Sequence, residues 1–186
     1  MTFVQTLTTL MDAARNYYQT DRKLSFTDLT SMLKPAPNLL TNTDNFSGNG
    51  YLSDSNATIS DQSYQGIKCY KLPANVHDQP YVGAVANLEA GNYVFSFFLY
   101  CSIDNAGNNA FDIDSQIHKA FAVEKGWHRY VIPFNTKDSA TNIYVTNWVP
   151  ADCLVAGYKL EKGERATPYL RADGTLVKAP EILLGG

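Results

Sequence analysis

The chain has 186 residues, a formal net charge of −3 and only 18% charged residues, with no run of lysines or arginines. So weakly acidic a surface is ill-suited to nucleic acid, and no apolar stretch approaches the roughly 20 residues that a membrane-spanning helix needs. The length suits one good-sized domain plus an appendage, and a domain of about 150 residues buries roughly 70% of its unfolded surface.

Aromatic residues make up 12% of the chain and 12 of them are tyrosines. A Tyr- and Asn-rich surface of low charge favours neutral polar partners over charged ones. The N-terminus lacks a charged region followed by an apolar one, so neither export nor membrane insertion is expected. Cys69, Cys101 and Cys153 are odd in number, widely spaced and set in strand-like segments. They read as free buried thiols of a protein made in a reducing cytoplasm.

In chain order, Phe3, Leu7, Leu10, Met11, Ala14, Tyr17 and Tyr18 recur at helical spacing. Ser25-Phe26-Thr27-Asp28 then resembles a capping box before a short second helix through Leu29, Met32 and Leu33. Residues 1–34 are therefore expected to form a helical hairpin. Its apolar stripe would be covered by the neighbouring domain, by self-association or by docking on a larger assembly. Pro35-Ala36-Pro37 ends the helical pattern and acts as a linker over 35–37.

From Asn38 the pattern changes to short strands separated by Gly, Asn and Asp turns. Strands are expected at Asn38–Thr41, Gly50–Ser53, Thr58–Ser60, Gly66–Leu72, Tyr81–Leu88 and Tyr93–Cys101. Others follow at Phe111–Ile113, His118–Val123, His128–Phe134, Asn142–Asn147 and Cys153–Glu161. Many short strands with no helical run between them predict a mostly β fold, an antiparallel β-sandwich of jelly-roll type over residues 38–168. Residues 169–186 form a C-terminal arm that packs on the domain or leads to a partner. Asn92–Cys101 is the hydrophobic centre. Alternation gives Tyr93, Phe95, Phe97, Leu99 and Cys101 to one face and Val94, Ser96, Phe98 and Tyr100 to the other. The first face belongs to the core, and the second is open between further core, ligand floor and protein interface.

Two stretches carry a resemblance. Pro37-Asn38-Leu39-Leu40-Thr41-Asn42-Thr43-Asp44-Asn45-Phe46-Ser47 opens the domain, and Ala156-Gly157-Tyr158-Lys159-Leu160-Glu161-Lys162-Gly163-Glu164-Arg165-Ala166-Thr167-Pro168-Tyr169 closes it. With the Asn92–Phe98 strand and Gly126-Trp127-His128-Arg129-Tyr130, they resemble the carbohydrate-binding-module-like jelly rolls of tail and baseplate proteins from phages of Gram-positive bacteria. The resemblance implies a non-catalytic virion component at the tail tip or baseplate that binds host cell-wall polysaccharide, as receptor-binding protein or accessory adhesin. It also implies contacts with other virion tail proteins and a homo-oligomer, often a trimer in such adhesins. The family's sugar-contacting residues lie outside these motifs, whose own pattern has a structural explanation. Tyr158 and Leu160 share one face of a strand, Lys159 and Glu161 the other.

Saccharides are held by aromatic rings against C–H faces and by amides, carboxylates and hydroxyls on the sugar hydroxyls. Trp148, beside Asn147 and sharing alternation with Tyr144, is the favoured platform. Tyr100 and Phe98 on the second face of the central strand, together with Tyr51 and Tyr64, complete the candidate set. Trp127, directly after a glycine, is expected to plug the core edge.

Asp112 and Asp114 point the same way from a strand, but a glycosidase needs two carboxylates facing each other across a substrate. The oxygen-rich Asp104-Asn105 and Asn42-Thr43-Asp44 loops offer ligands for a structural calcium, although no EF-hand-like spacing supports one and no cofactor is expected. His77, His118 and His128 have no metal-ligand spacing and read as surface or strand histidines. No nucleophile elbow, zinc-protease helix, P-loop or dinucleotide fingerprint is present. The alternatives to an adhesin are a purely structural virion module, whose aromatic face meets another protein, and a glycan-degrading enzyme.

Overall fold

The computed structural model describes residues 36–53, 56–74, 79–104, 107–114 and 116–184, together with 4, 5, 8, 9, 11 and 12. The chain divides into two units, Met1–Ala36 and Pro37–Gly186. In the first, Val4, Gln5, Thr8, Thr9, Met11 and Asp12 have helical backbone. The Thr8 and Thr9 hydroxyls donate to the Val4 and Gln5 carbonyls at 2.9 and 3.0 Å. The second helix and the turn of the expected hairpin lie outside the described residues, so the hairpin itself has no support.

The second unit is mostly β and built from two large sheets. One runs, in spatial order, β1 (Tyr51–Ser53), β4 (Tyr81–Leu88), β9 (Ala140–Thr146), β6 (Asn108–Ile113) and β7 (Ile117–Ala122). The other runs β13 (Glu181–Leu183), β8 (Gly126–Thr136), β5 (Gly91–Cys101), β10 (Cys153–Lys162), β3 (Ile67–Leu72) and β2 (Thr58–Tyr64). All pairings in both are antiparallel except β13 on β8. The expected strand at Asn38–Thr41 is absent. That segment is bent, and Asn38 clamps it to β10 through a side-chain bond to the Tyr158 carbonyl.

β5 lies between β8 and β10, and its inward face carries Tyr93, Phe95, Phe97, Leu99 and Cys101, all in the main core. Phe95 stacks on Phe111 of the opposite sheet with centroids 5.3 Å apart, and the Tyr158 hydroxyl crosses the sandwich to donate to the Val82 carbonyl at 2.9 Å. Burying each such aromatic side chain contributes about 1.5–3 kcal/mol. Cys101 and Cys153 sit directly opposite each other in the β5–β10 ladder, and both thiols are free and buried, as is that of Cys69.

The outward face of β5 is covered from Val94 to Phe98, and Tyr100 at its end stays half-buried. Val94, Ser96 and Phe98 are almost wholly buried. Phe98 joins a second core with Ile67, Cys69, Leu154, Ala156, Tyr169 and Val177, closed by the small hairpin of β11 (Tyr169–Leu170) and β12 (Leu176–Val177). The C-terminal arm therefore packs on its own domain. The parallel pairing of β13 adds an edge strand beside β8, with Ile182 and Leu184 against the main core.

β10 serves both cores by alternation, and it shifts register between Ala156 and Lys159. Gly157, with φ +58°, makes that bulge, and a Cβ there would lie 2.9 Å from the Phe98 ring. The shift keeps Val155, Tyr158 and Leu160 inward and turns Lys159 and Glu161 outward beneath the arm. There, the Lys159 ammonium lies 3.2 Å from Glu161 and donates to the Thr167 hydroxyl at 2.6 Å and the Pro168 carbonyl at 2.8 Å. The Glu161 carboxylate accepts from the Thr167 backbone and hydroxyl. Arg129 bonds Glu181 at 2.7 Å, Ser96 at 2.9 Å and the Thr167 carbonyl at 2.7 Å. Two cations are thus matched by two carboxylates. Burial still holds the Lys159 ammonium below its ordinary pKa, although the Glu161 charge opposes that shift.

Candidate functional site

Within the described residues of the second unit, the outward face of the five-stranded sheet has no such cover. Register places Leu52, Gly83, Tyr144, Asp112 and His118 in one row across β1, β4, β9, β6 and β7. The next row on that face holds Tyr81, Thr146, Ala110 and Ala120. The rows set the rings of Tyr81, Tyr144 and His118 among small side chains such as Gly83, Ala110 and Ala120. Gly83 is where this matters most, since a Cβ would meet the Tyr144 ring at 2.5 Å and the Ile143 carbonyl at 2.7 Å. The glycine lets Tyr144 lie flat along the sheet, and Tyr81 supports it edge-on with centroids 5.3 Å apart.

Beyond the end of β9, the Trp148 backbone N–H donates to Asn109 Oδ1 at 2.9 Å. Its indole stacks on His118, with centroids 5.0 Å apart and planes 28° from parallel. His118 Nδ1 is in turn 2.5 Å from Asp112 Oδ1, while Asp112 Oδ2 accepts from the Thr146 hydroxyl at 3.4 Å. The side chains of His118 and Asp112 are 52% and 23% exposed, so their free edges face solvent. Trp148 Nε1 is buried without a hydrogen-bond partner. The face thus combines two half-exposed aromatic platforms, Tyr144 and Trp148, with a fixed hydroxyl–carboxylate–imidazole chain between them.

The structure divides the sequence-predicted residues. Trp148 and Tyr144 belong to this face. Asn147 does not: it is fully buried, and its amide donates to the Pro73 and Ala151 carbonyls at 2.7 and 2.9 Å, holding the loop from which Trp148 projects. Tyr51 packs against the main core and donates to the Thr41 carbonyl at 2.6 Å. Phe98 is fully buried in the second core. Tyr64 stacks on Trp127 at 4.0 Å and donates to the Lys178 carbonyl, so it ties down the arm. Tyr100 is half-buried on the other sheet beside Trp127, which packs against the second core as expected of a ring at the core edge. Sequence reasoning treated His118 as an ordinary strand histidine and gave no role to Gly83. Their value comes from cross-strand register.

The acidic residues are engaged structurally. Asp114 accepts from the Thr141 and Asn142 backbone N–H groups and from the Asn142 amide, tying the end of β6 to the start of β9. Asp44, in the loop considered for calcium, accepts from the Tyr169 hydroxyl and the Ala172 N–H, both at 2.7 Å. Among the described residues, no group of three or more His, Cys, Asp or Glu is placed to hold a metal ion.

No family model and no curated protein sequence matches the chain. Among solved structures it is similar to an exo-β-agarase, at 10% identity and a TM-score of 0.51, over 72% of this chain and 26% of the enzyme. It is also similar to a xylan-binding carbohydrate-binding module from Paenibacillus barcinonensis, at 11% identity and a TM-score of 0.47, over 72% of this chain and 99% of the module. A third is a carbohydrate-binding module solved with β-1,4-galactotriose, at 14% identity and a TM-score of 0.46, over 69% of this chain and all of that one. None of these likenesses is to a phage tail or baseplate protein. What the agarase shares with this chain is the fold of the matched region.

Proposed function

We propose that the chain is a non-catalytic saccharide-binding module that holds a neutral glycan along the open face of its five-stranded sheet. One observation carries this reading: the cross-sheet row in which Tyr144, Asp112 and His118 lie side by side, with Trp148 stacked on the histidine. Rings of this kind pack on the C–H faces of sugars, and the Asp112–His118 pair offers polar edges to their hydroxyls. An open row suits a chain that runs on past either edge, as a polysaccharide does. The carboxylates nearest the face serve as hydrogen-bond acceptors within the fold, which favours binding over hydrolysis.

The finer reading is a tail-tip or baseplate component of a phage of Gram-positive bacteria, bound to host cell-wall polysaccharide and assembled with other virion proteins. It rests on the sequence resemblance of the opening and closing motifs. Single saccharide sites are weak, and several copies in one particle would raise avidity by about 10²–10⁴. Retention of the full chain in affinity gels containing cell-wall polysaccharides tests both readings. Retention that is lost in Trp148→Ala and Tyr144→Ala supports the face. Retention indifferent to both variants removes the face, and lack of retention by any Gram-positive wall polysaccharide removes the adhesin.

A further inference from the structure

A second concavity lies on the outward side of the six-stranded sheet, at the end that the C-terminal arm leaves uncovered. Register builds it: Trp127, Tyr100, Leu154 and Lys71 are consecutive partners across β8, β5, β10 and β3. Neighbouring strands are about 4.8 Å apart, so these four side chains span one continuous row. With Ser60 and Gln62 of β2 and Asp152 at the start of β10, they line a cleft of about 370 Å³. That volume lies within the roughly 300–1,000 Å³ typical of small-molecule sites.

The cleft has two unlike walls over an apolar floor. Trp127 and Tyr100 form one, with centroids 5.6 Å apart, and Tyr64 backs the indole in a 4.0 Å stack. Tyr64 is itself anchored on Phe98 and on the Lys178 carbonyl, so the aromatic wall is fixed before any ligand arrives. Leu154 makes the floor. The opposite wall is polar, with Lys71 and Asp152 paired at 2.6 Å and Asp152 also accepting from the Ala74 N–H at 2.8 Å. Gln62 and Ser60 add an amide and a hydroxyl. The cation and anion of that wall cancel, which disfavours a phosphate, a carboxylate or an amine as ligand. A flat apolar side facing a wall of mixed donors and acceptors, with no net charge, fits the two faces of a pyranose ring.

We infer that this cleft is a second saccharide site, one that takes a short uncharged sugar unit such as the end of a glycan chain, on the opposite sheet from the open face. Its residues are separate from those of that face, so the two sites succeed or fail independently. A chain with both would grip two glycan strands at once.

The chain has two tryptophans, one at each site, which makes the test direct. In the Trp148→Phe protein, Trp127 is the remaining indole. Its emission is followed during titration with glucose, galactose, xylose, N-acetylglucosamine and the β-1,4-linked disaccharides of glucose and N-acetylglucosamine. The expected result is a saturable change with at least one of these sugars, with a Kd on the order of 1 mM. Gln62→Ala and Lys71→Met alter exposed side chains and should leave the fold intact. Each should weaken that binding about threefold to tenfold, the worth of one hydrogen bond. Absence of a saturable change with every sugar overturns the site, as does a change that both variants leave untouched. Because the signal comes from Trp127, this outcome does not depend on whether the Tyr144–Trp148 face binds.

Discussion

Trp148 stacks on His118 at 5.0 Å, and that imidazole is held in turn by Asp112. The indole platform therefore depends on a histidine two strands away in sequence order. His118→Ala should lower saccharide affinity about threefold to tenfold, comparable to the loss of one aromatic contact. His118 is exposed, so folding stability should change by less than about 0.5 kcal/mol. Titration calorimetry and urea unfolding of the same variant separate the two effects.

Gly157 should tolerate no side chain. It combines a left-handed φ of +58° with a would-be Cβ only 2.9 Å from Phe98. Gly157→Ala should cost about 2–4 kcal/mol from backbone strain and overpacking together. The loss should appear as a lower urea midpoint with an unchanged slope.

The buried charges beneath the arm give a third expectation. Lys159→Met leaves the Glu161 carboxylate buried without its cation and should destabilise the fold by about 3–5 kcal/mol. Adding Glu161→Gln removes the stranded charge while keeping an acceptor for the Thr167 N–H, so the double variant should be more stable than Lys159→Met alone. Denaturant unfolding of the two proteins decides the order.

Alkaline pH should unfold the protein. Burial pushes the Cys69 thiol up from 9.0 to about 11, and the Tyr130 phenol from 10.0 to about 12. The Cys153, Tyr158 and Tyr169 groups are also raised by burial. For a raised acid, the unfolded chain releases its proton first. The stabilisation is therefore complete below the ordinary value and is lost as pH rises towards the folded one. Lys159 is shifted down and acts in the opposite sense, but it is outnumbered. Thermal midpoints should hold between about pH 7 and 9 and fall steadily between about 9 and 12.

Much of the sandwich was legible from local pattern. Alternation along Asn92–Cys101 assigned the inward face correctly, and Tyr81–Leu88 was bounded to the residue, because both strands are long and apolar with turn residues at their ends. What alternation lacks is knowledge of the covering layer. Alternation leaves the outward face of β5 open between core, ligand and interface; Phe98 lies in a second core, while Tyr100 stays half-buried at its edge. The cover comes from Tyr169 and Val177, more than 65 residues away and in strands too short to show a period. The site divided for the same reason. Tyr144 and Trp148 share one strand line and could be paired by spacing. Asp112, His118 and Gly83 come from three other strands, and only register sets them beside Tyr144.

The most direct test of the central claim is a crystal structure of the chain with the oligosaccharide that it retains most strongly. Sugar rings should lie against Trp148 and Tyr144, with hydroxyls on Asp112 and His118. A sugar bound elsewhere with those two rings left bare, or the same face occupied by a protein partner in the functional assembly, would contradict the account.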